Sequence, residues 1–162
     1  MSSNKFRPHI IILPEDDANR QIAVGFTLNQ YLDPKAVQIL SVAGGWLKVV
    51  ELFKTEYISK MREYKERRIV LLIDFDEQND RLEHIQSLIP TEIKNRVFIL
   101  GVFSEPEALK RKVEMNFEEI GVALADNCKD QTDVLWSHEL LIHNQEELLR
   151  VSQSCRDFLF IH

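Results

Sequence analysis

Two groups of carboxylates carry the chemistry that can be read directly from this chain. Glu15, Asp16 and Asp17 follow the apolar run 9–13 and Pro14, while Asp74 and Asp76 follow the apolar run 69–73 with Phe75 between them. Carboxylates gathered in one place repel each other, and all stay ionised only when a cation is shared among them. Oxygen donors with no His or Cys nearby suit a hard ion such as Mg²⁺ or Mn²⁺. In extended backbone the Asp-x-Asp spacing puts Asp74 and Asp76 on one side of the chain, where the pair can hold one ion. Gly44 and Gly45 form a third candidate. They either make the turn into the next helix or let a bound group approach the backbone.

These groups can meet only if the elements before them lie side by side. The runs 9–13, 36–42, 69–73 and 97–102 are short, apolar and rich in β-branched residues, as buried strands of a parallel sheet are. Helical patterns follow at 18–32, 46–65 and 81–88, and another opens near Ser104. Ser104 and Glu107 have the spacing of a capping box with Pro106 in the first turn. The stretch 121–125 reads as a fifth, weaker strand, 134–155 as one long amphipathic helix, and 158–161 as an apolar end that must dock. Strands alternating with helices predict an α/β fold, a three-layer Rossmann-like sandwich with a mostly parallel sheet of four to five strands plus a long C-terminal helix. Ligands of such sheets bind outside the carboxyl ends of the strands, which is where Glu15, Gly44, Gly45, Asp74 and Asp76 fall.

Composition narrows the field. The 162 residues make one domain, 1–162, divided here into a core at 8–109 and a C-terminal strand-and-helix appendage at 110–162. A net charge of −6 argues against a dedicated basic nucleic-acid binder, but not against an enzyme that reaches phosphates through a metal. Two cysteines, Cys128 and Cys155, exclude a zinc knuckle and a disulfide scaffold. No apolar run approaches the roughly 20 residues that span a bilayer, so no membrane partner is expected. The first eight residues are polar and lack an apolar signal core. The expected setting is a reduced cytoplasm.

The order Glu15, then Gly44-Gly45, then Asp74-Phe75-Asp76, each after its strand, resembles the Toprim domain of topoisomerases, primases and related nucleases. The resemblance covers roughly 8–109 and is nearest to the small stand-alone or overcoming-lysogenization-defect-type members. It implies that Glu15 acts as general acid/base or an additional ligand and that Asp74 and Asp76 hold Mg²⁺ or Mn²⁺. The metal would stabilise charge on a phosphodiester and activate water. It also implies nucleic acid as substrate and, because larger members carry separate DNA-binding or ATPase domains, a partner protein. The chain departs from the family at Asp16, where a glycine is common.

Two other readings compete. Glu15-Asp16-Asp17-Ala18-Asn19-Arg20 is similar to the acidic start of a receiver domain, with Asp74 as phosphoacceptor, Ser104 after the fourth strand and Lys129 after the fifth. Alternatively the chain is a non-catalytic interaction module whose helix 134–155 packs on a partner or on a second copy in a homodimer, although covering its own sheet is the simpler use of that apolar stripe. Asp16 and Asp17 also fit as charges at a helix N-terminus. His138 and His143, five apart, do not share a helix face as a metal pair would, and Trp46 and Trp136 fit as packing residues.

Overall fold

Four parallel strands lie in the order β2–β1–β3–β4 in the computed structural model, which describes residues 5–161. They are β1 (His9–Pro14), β2 (Val37–Ile39), β3 (Arg67–Leu72) and β4 (Val97–Leu100). The helices are α1 (Asp17–Thr27), α2 (Trp46–Leu52), α3 (Ile58–Glu63), α4 (Arg81–Ser87), α5 (Pro106–Val113), α6 (Phe117–Asp130) and α7 (Gln145–Leu159). A π-helical turn, Phe53–Tyr57, joins α2 to α3, so the helix read at 46–65 is continuous through a bulge. The fold is thus α/β with an all-parallel sheet and a C-terminal helix.

The period-2 alternation of the strands builds the layers. Ile11, Leu13, Ile69 and Leu71 face Val49, Phe53 and Met61 of the α2–α3 segment and Ile85 of α4. Ile10, Ile12 and Val70 face the opposite way, onto Ala23 of α1 and Cys155 and Leu159 of α7. A third cluster joins Ile22 of α1 to Leu109 of α5, Ile120 and Leu124 of α6, and Trp136. Both faces of the sheet are covered, as an all-parallel sheet requires.

Register places the site. Pro14 pairs with Leu72 and Leu72 with Leu100, so β1, β3 and β4 end level with one another. The chain leaves β1 toward β2 on one side and returns to β3 on the other. The crevice between the ends of β1 and β3 is therefore a topological switch point. The Glu15 N–H donates to the Leu72 carbonyl at 2.9 Å and carries the ladder one residue past Pro14.

Four expectations are corrected. Residues 121–125 are not a strand but the middle of α6, so the described residues 110–161 contribute no fifth strand. A reciprocal cap starts that helix: the Asn116 side chain accepts from the Glu119 N–H, and the Glu119 carboxylate accepts from the Asn116 N–H. Gly121 meets Gly25 of α1, and the backbones touch so closely that a Cβ on Gly25 would lie 2.1 Å from the Glu118 oxygen. Where a fifth strand would pair, the Arg150 guanidinium donates to the carbonyls of Lys94 and Val97, and Asn144 holds both the N–H and the C=O of Gly101. The edge of β4 is capped by side chains instead of a strand.

Residues 134–155 are not one helix. Residues 134–141 form turns and a bend, Ile142–Asn144 a 3₁₀ turn, and α7 starts at Gln145. The Leu140 carbonyl accepts from the Phe103 N–H at 2.8 Å, which takes it out of any helical ladder. Nor do Ser104 and Glu107 form a capping box, because Glu105 is the cap residue of α5 and makes no side-chain cap bond. Strand β2 has three residues, shorter than the run 36–42. The apolar C-terminus docks as expected, with Phe160 bridging to Leu32 and the Asp33 N–H donating to the Leu159 carbonyl.

Candidate metal centre

Glu15, the first residue beyond β1, is 6% exposed, and its Oε2 accepts from the Asp74 N–H at 2.9 Å. Its own carbonyl accepts from the N–H groups of Gly44 (2.9 Å) and Gly45 (3.2 Å). Those glycines therefore anchor Glu15 from the β2 side. Both sit at positive φ, +97° and +132°, with open space where a Cβ would be. Only glycine takes such a turn cheaply.

Asp16 caps α1. Its Oδ1 accepts from the Asn19 N–H at 3.0 Å and from Asn19 Nδ2 at 2.9 Å. The same Nδ2 donates to Asp74 Oδ1 at 2.8 Å, so one buried amide ties the β1 turn to the end of β3. Asn19 is 1% exposed and cannot swing away. Glu15, Asp16 and Asp74 each bring one oxygen into a group lying within 4.8 Å.

The electrostatics follow from that crowding. Burial first, then the negative charges of Glu15 and Asp16, push the Asp74 carboxyl up to about 8, against the Asn19 hydrogen bond that lowers it. Burial likewise holds Glu15 above the usual carboxylate range, with Asp16 and Asp76 adding to the effect and the bonds to Asp74 opposing it. A group this close can shed its protons only at a cost in repulsion, unless a cation enters. The cluster can hold a metal ion, and its donor set is all oxygen.

Asp76 takes a different position. With Glu77 it occupies the left-handed region, at φ +49° and +60°, and its Oδ2 lies 2.9 Å from Arg81 Nη1. The same Nη1 donates to the Asp74 carbonyl at 2.6 Å, and the guanidinium lies 4.2 Å from the centroid of the Trp46 ring. Arg81 thereby clamps the Asp74–Asp76 turn from the start of α4. Asp17 is turned outward to Arg20 and Gln21. His143 packs its ring between Phe75 and Phe103, behind the turn, at centroid distances of 4.8 and 5.4 Å.

The structure thus brings together Glu15 and Asp74 with Gly44 and Gly45 behind them, and sets Asp76 against Arg81. The sequence places Asp16 both in the acidic group after β1 and as a charge at a helix N-terminus. The structure gives it both roles. Asn19 and Arg81 carry no functional expectation in the sequence. A signal for Arg81 was present, since a cation in the first turn of a helix opposes the helix dipole and calls for nearby carboxylates. Asn19 sits three residues after the cap, where an amide reaches back to it. No family model, curated protein or solved structure matches this chain.

Proposed function

We propose that this protein carries out Toprim-like, divalent-metal-dependent phosphodiester chemistry, with nucleic acid as substrate and Mg²⁺ or Mn²⁺ held by Glu15, Asp16 and Asp74. The observation that carries the reading is the convergence of those three carboxylates at the β1–β3 switch point. Bound there, the ion would supply charge stabilisation at a phosphodiester and an activated water. The resemblance gives Glu15 the part of general acid/base or additional ligand, and its buried place beside Asp74 supports such a role. Asn19 fixes the Asp74 carboxylate, and the Gly44–Gly45 amides fix the Glu15 backbone. Arg81 keeps the Asp74–Asp76 turn in place and holds a planar cation at its rim.

The test is cleavage of supercoiled plasmid and of single-stranded DNA and RNA with Mn²⁺ or Mg²⁺. The Asp74→Asn variant is run beside the wild type. The expected result is cleavage that needs the metal and falls at least about a hundredfold in the variant, as for loss of a major charge-stabilising group. Equal cleavage by both proteins, or none by either, counts against the reading.

One observation favours a second reading. The cluster pairs adjacent acids, Glu15 and Asp16, with Asp74, while Asp76 faces Arg81. That is the pattern of a receiver-like phosphoacceptor. Against it, Lys129 lies on α6 with its ammonium 4.0 Å from the Tyr31 ring centroid, not at a strand end. Incubation with acetyl phosphate and Mg²⁺, followed by mass measurement, separates the two: phosphate on Asp74 selects the receiver-like reading, and an unmodified chain removes it.

A further inference from the structure

At the end of the sheet opposite the carboxylates, a hollow of about 390 Å³ with a mostly polar wall opens beside the amino ends of β3 and β4. It is lined by Arg62 at the end of α3, Lys65 in the turn that follows, Arg68 of β3, Arg96 before β4 and Ser154 of α7. Glu92 is the one carboxylate among the described residues of the wall. Four cations against one carboxylate leave an excess of positive charge in a chain whose net charge is −6. Arg68 stands six residues before Asp74, so about 20 Å of sheet separates the hollow from the carboxylate cluster.

Three of the cations are held in place. Arg68 Nε donates to the Ser154 hydroxyl at 3.1 Å and Nη1 to the Glu66 carbonyl at 2.7 Å. Arg96 donates to the carbonyls of Tyr64, Arg67 and Met61, at 3.1, 2.8 and 2.9 Å. Arg62 pairs through Nε and Nη2 with one oxygen of Glu92, at 2.8 and 2.6 Å. The Arg62–Glu92 and Arg68–Ser154 bonds each join two residues of the wall, so these guanidinium groups stand in it. Each guanidinium carries five N–H donors, more than these bonds use. Lys65 is exposed and makes no hydrogen bond or ion pair among the described residues. Carbonyls and a hydroxyl fix a guanidinium without cancelling its charge. Burial, then the neighbouring Arg68 charge, hold Arg96 below its usual value, with Glu66 opposing, so like charges crowd here as they do at the other end of the sheet. A fixed guanidinium fork matches the oxygens of a phosphate, and a terminal phosphate brings nearly two negative charges where a phosphodiester brings one. We propose that this hollow is a binding site for a terminal phosphate group, held by the Lys65 ammonium and the remaining N–H groups of Arg62, Arg68 and Arg96. The site depends neither on a metal nor on the activity proposed above.

The experiment is titration of the ¹⁵N-labelled full chain, in chelator, with inorganic phosphate and with short single-stranded DNA bearing a 5′-phosphate or a 5′-hydroxyl. Inorganic phosphate should give saturable shifts of the Lys65 and Asn95 amides and of the Nε–H groups of Arg62, Arg68 and Arg96. Lys65→Gln, a change on an exposed side chain that leaves the fold intact, should weaken binding about threefold. Arg62→Gln combined with Lys65→Gln should weaken it at least about tenfold. Phosphorylated DNA binding at least about tenfold more tightly than phosphate alone identifies a nucleic-acid end as the source of the group, and equal affinities identify a small phosphorylated molecule; both uphold the site. Absence of saturable shifts, shifts that the substitutions leave unchanged, or 5′-hydroxyl DNA binding as tightly as the phosphorylated strand would each overturn the proposal.

Discussion

Replacing Asp74 by Asn should stabilise the metal-free protein, and most strongly at alkaline pH. The Asp74 carboxyl is raised from an ordinary 3.8 to about 8, so the folded state prefers it protonated. The stability it contributes is fully present below its unfolded value near 4 and is lost as pH rises through about 8. At ~1.36 kcal/mol per pH unit, the ceiling on that loss is about 6 kcal/mol. Asp74 is only partly buried, and water screens its charge, so about 2–3 kcal/mol is the realistic figure. Asn keeps an Oδ1 for the Asn19 amide and removes the charge that also raises Glu15. Urea unfolding of wild type and Asp74→Asn in chelator at pH 5, 7 and 9 reads the effect directly. The two should be nearly equal at pH 5, and the variant more stable by about 2–3 kcal/mol at pH 9, a Tm difference of about 5–10 °C for a domain of this size. Added Mg²⁺ should narrow the gap by stabilising the wild type alone, by about 2.7 kcal/mol at a hundredfold excess over Kd. A wild type no less stable at pH 9 than at pH 5, or a variant without advantage at pH 9, would refute the picture of a strained carboxylate cluster. Such a cluster is the kind of local destabilisation that functional sites retain.

Two further substitutions test the frame around the site. Asn144→Ala removes the amide that satisfies both backbone groups of Gly101 and the Leu141 carbonyl, and should cost about 3 kcal/mol with faster exchange of the Gly101 amide; a loss under ~1 kcal/mol would show that β4 needs no such cap. Gly25→Ala forces α1 and α6 apart at their closest approach and should cost about 1–3 kcal/mol, read by thermal melting, whereas an unchanged Tm would contradict the backbone contact.

Much of this protein is legible along the chain. The β-branched runs 9–13, 69–73 and 97–102, each stopping abruptly, announce buried parallel strands, and Pro14 marks the end of the first. Glu15 and Asp74 follow such stops, so their place at strand ends is a local property of the sequence. The double glycine after β2 announces a turn that other residues resist. The apolar stretch 121–125 misleads because a short apolar run fits strand and helix alike. The cap at Asn116 and Glu119 decides it, and Gly121 is explained by a neighbour nearly a hundred residues earlier.

What only the tertiary structure decides is which carboxylates meet. Strand order sets β1 beside β3 and so brings Glu15 to the Asp74 N–H. Asn19 then draws Asp16 into the group by bonding it and Asp74 with one amide nitrogen. The left-handed backbone at Asp76 and Glu77, held by bonds to the Ser104 and Phe103 carbonyls, sets the Asp76 carboxylate against Arg81. Spacing within a segment determines which residues stand at a strand end. Where their charged atoms point depends as well on hydrogen bonds between distant segments, Asp74 N–H to Glu15 and Asn19 to Asp74, which no local pattern encodes.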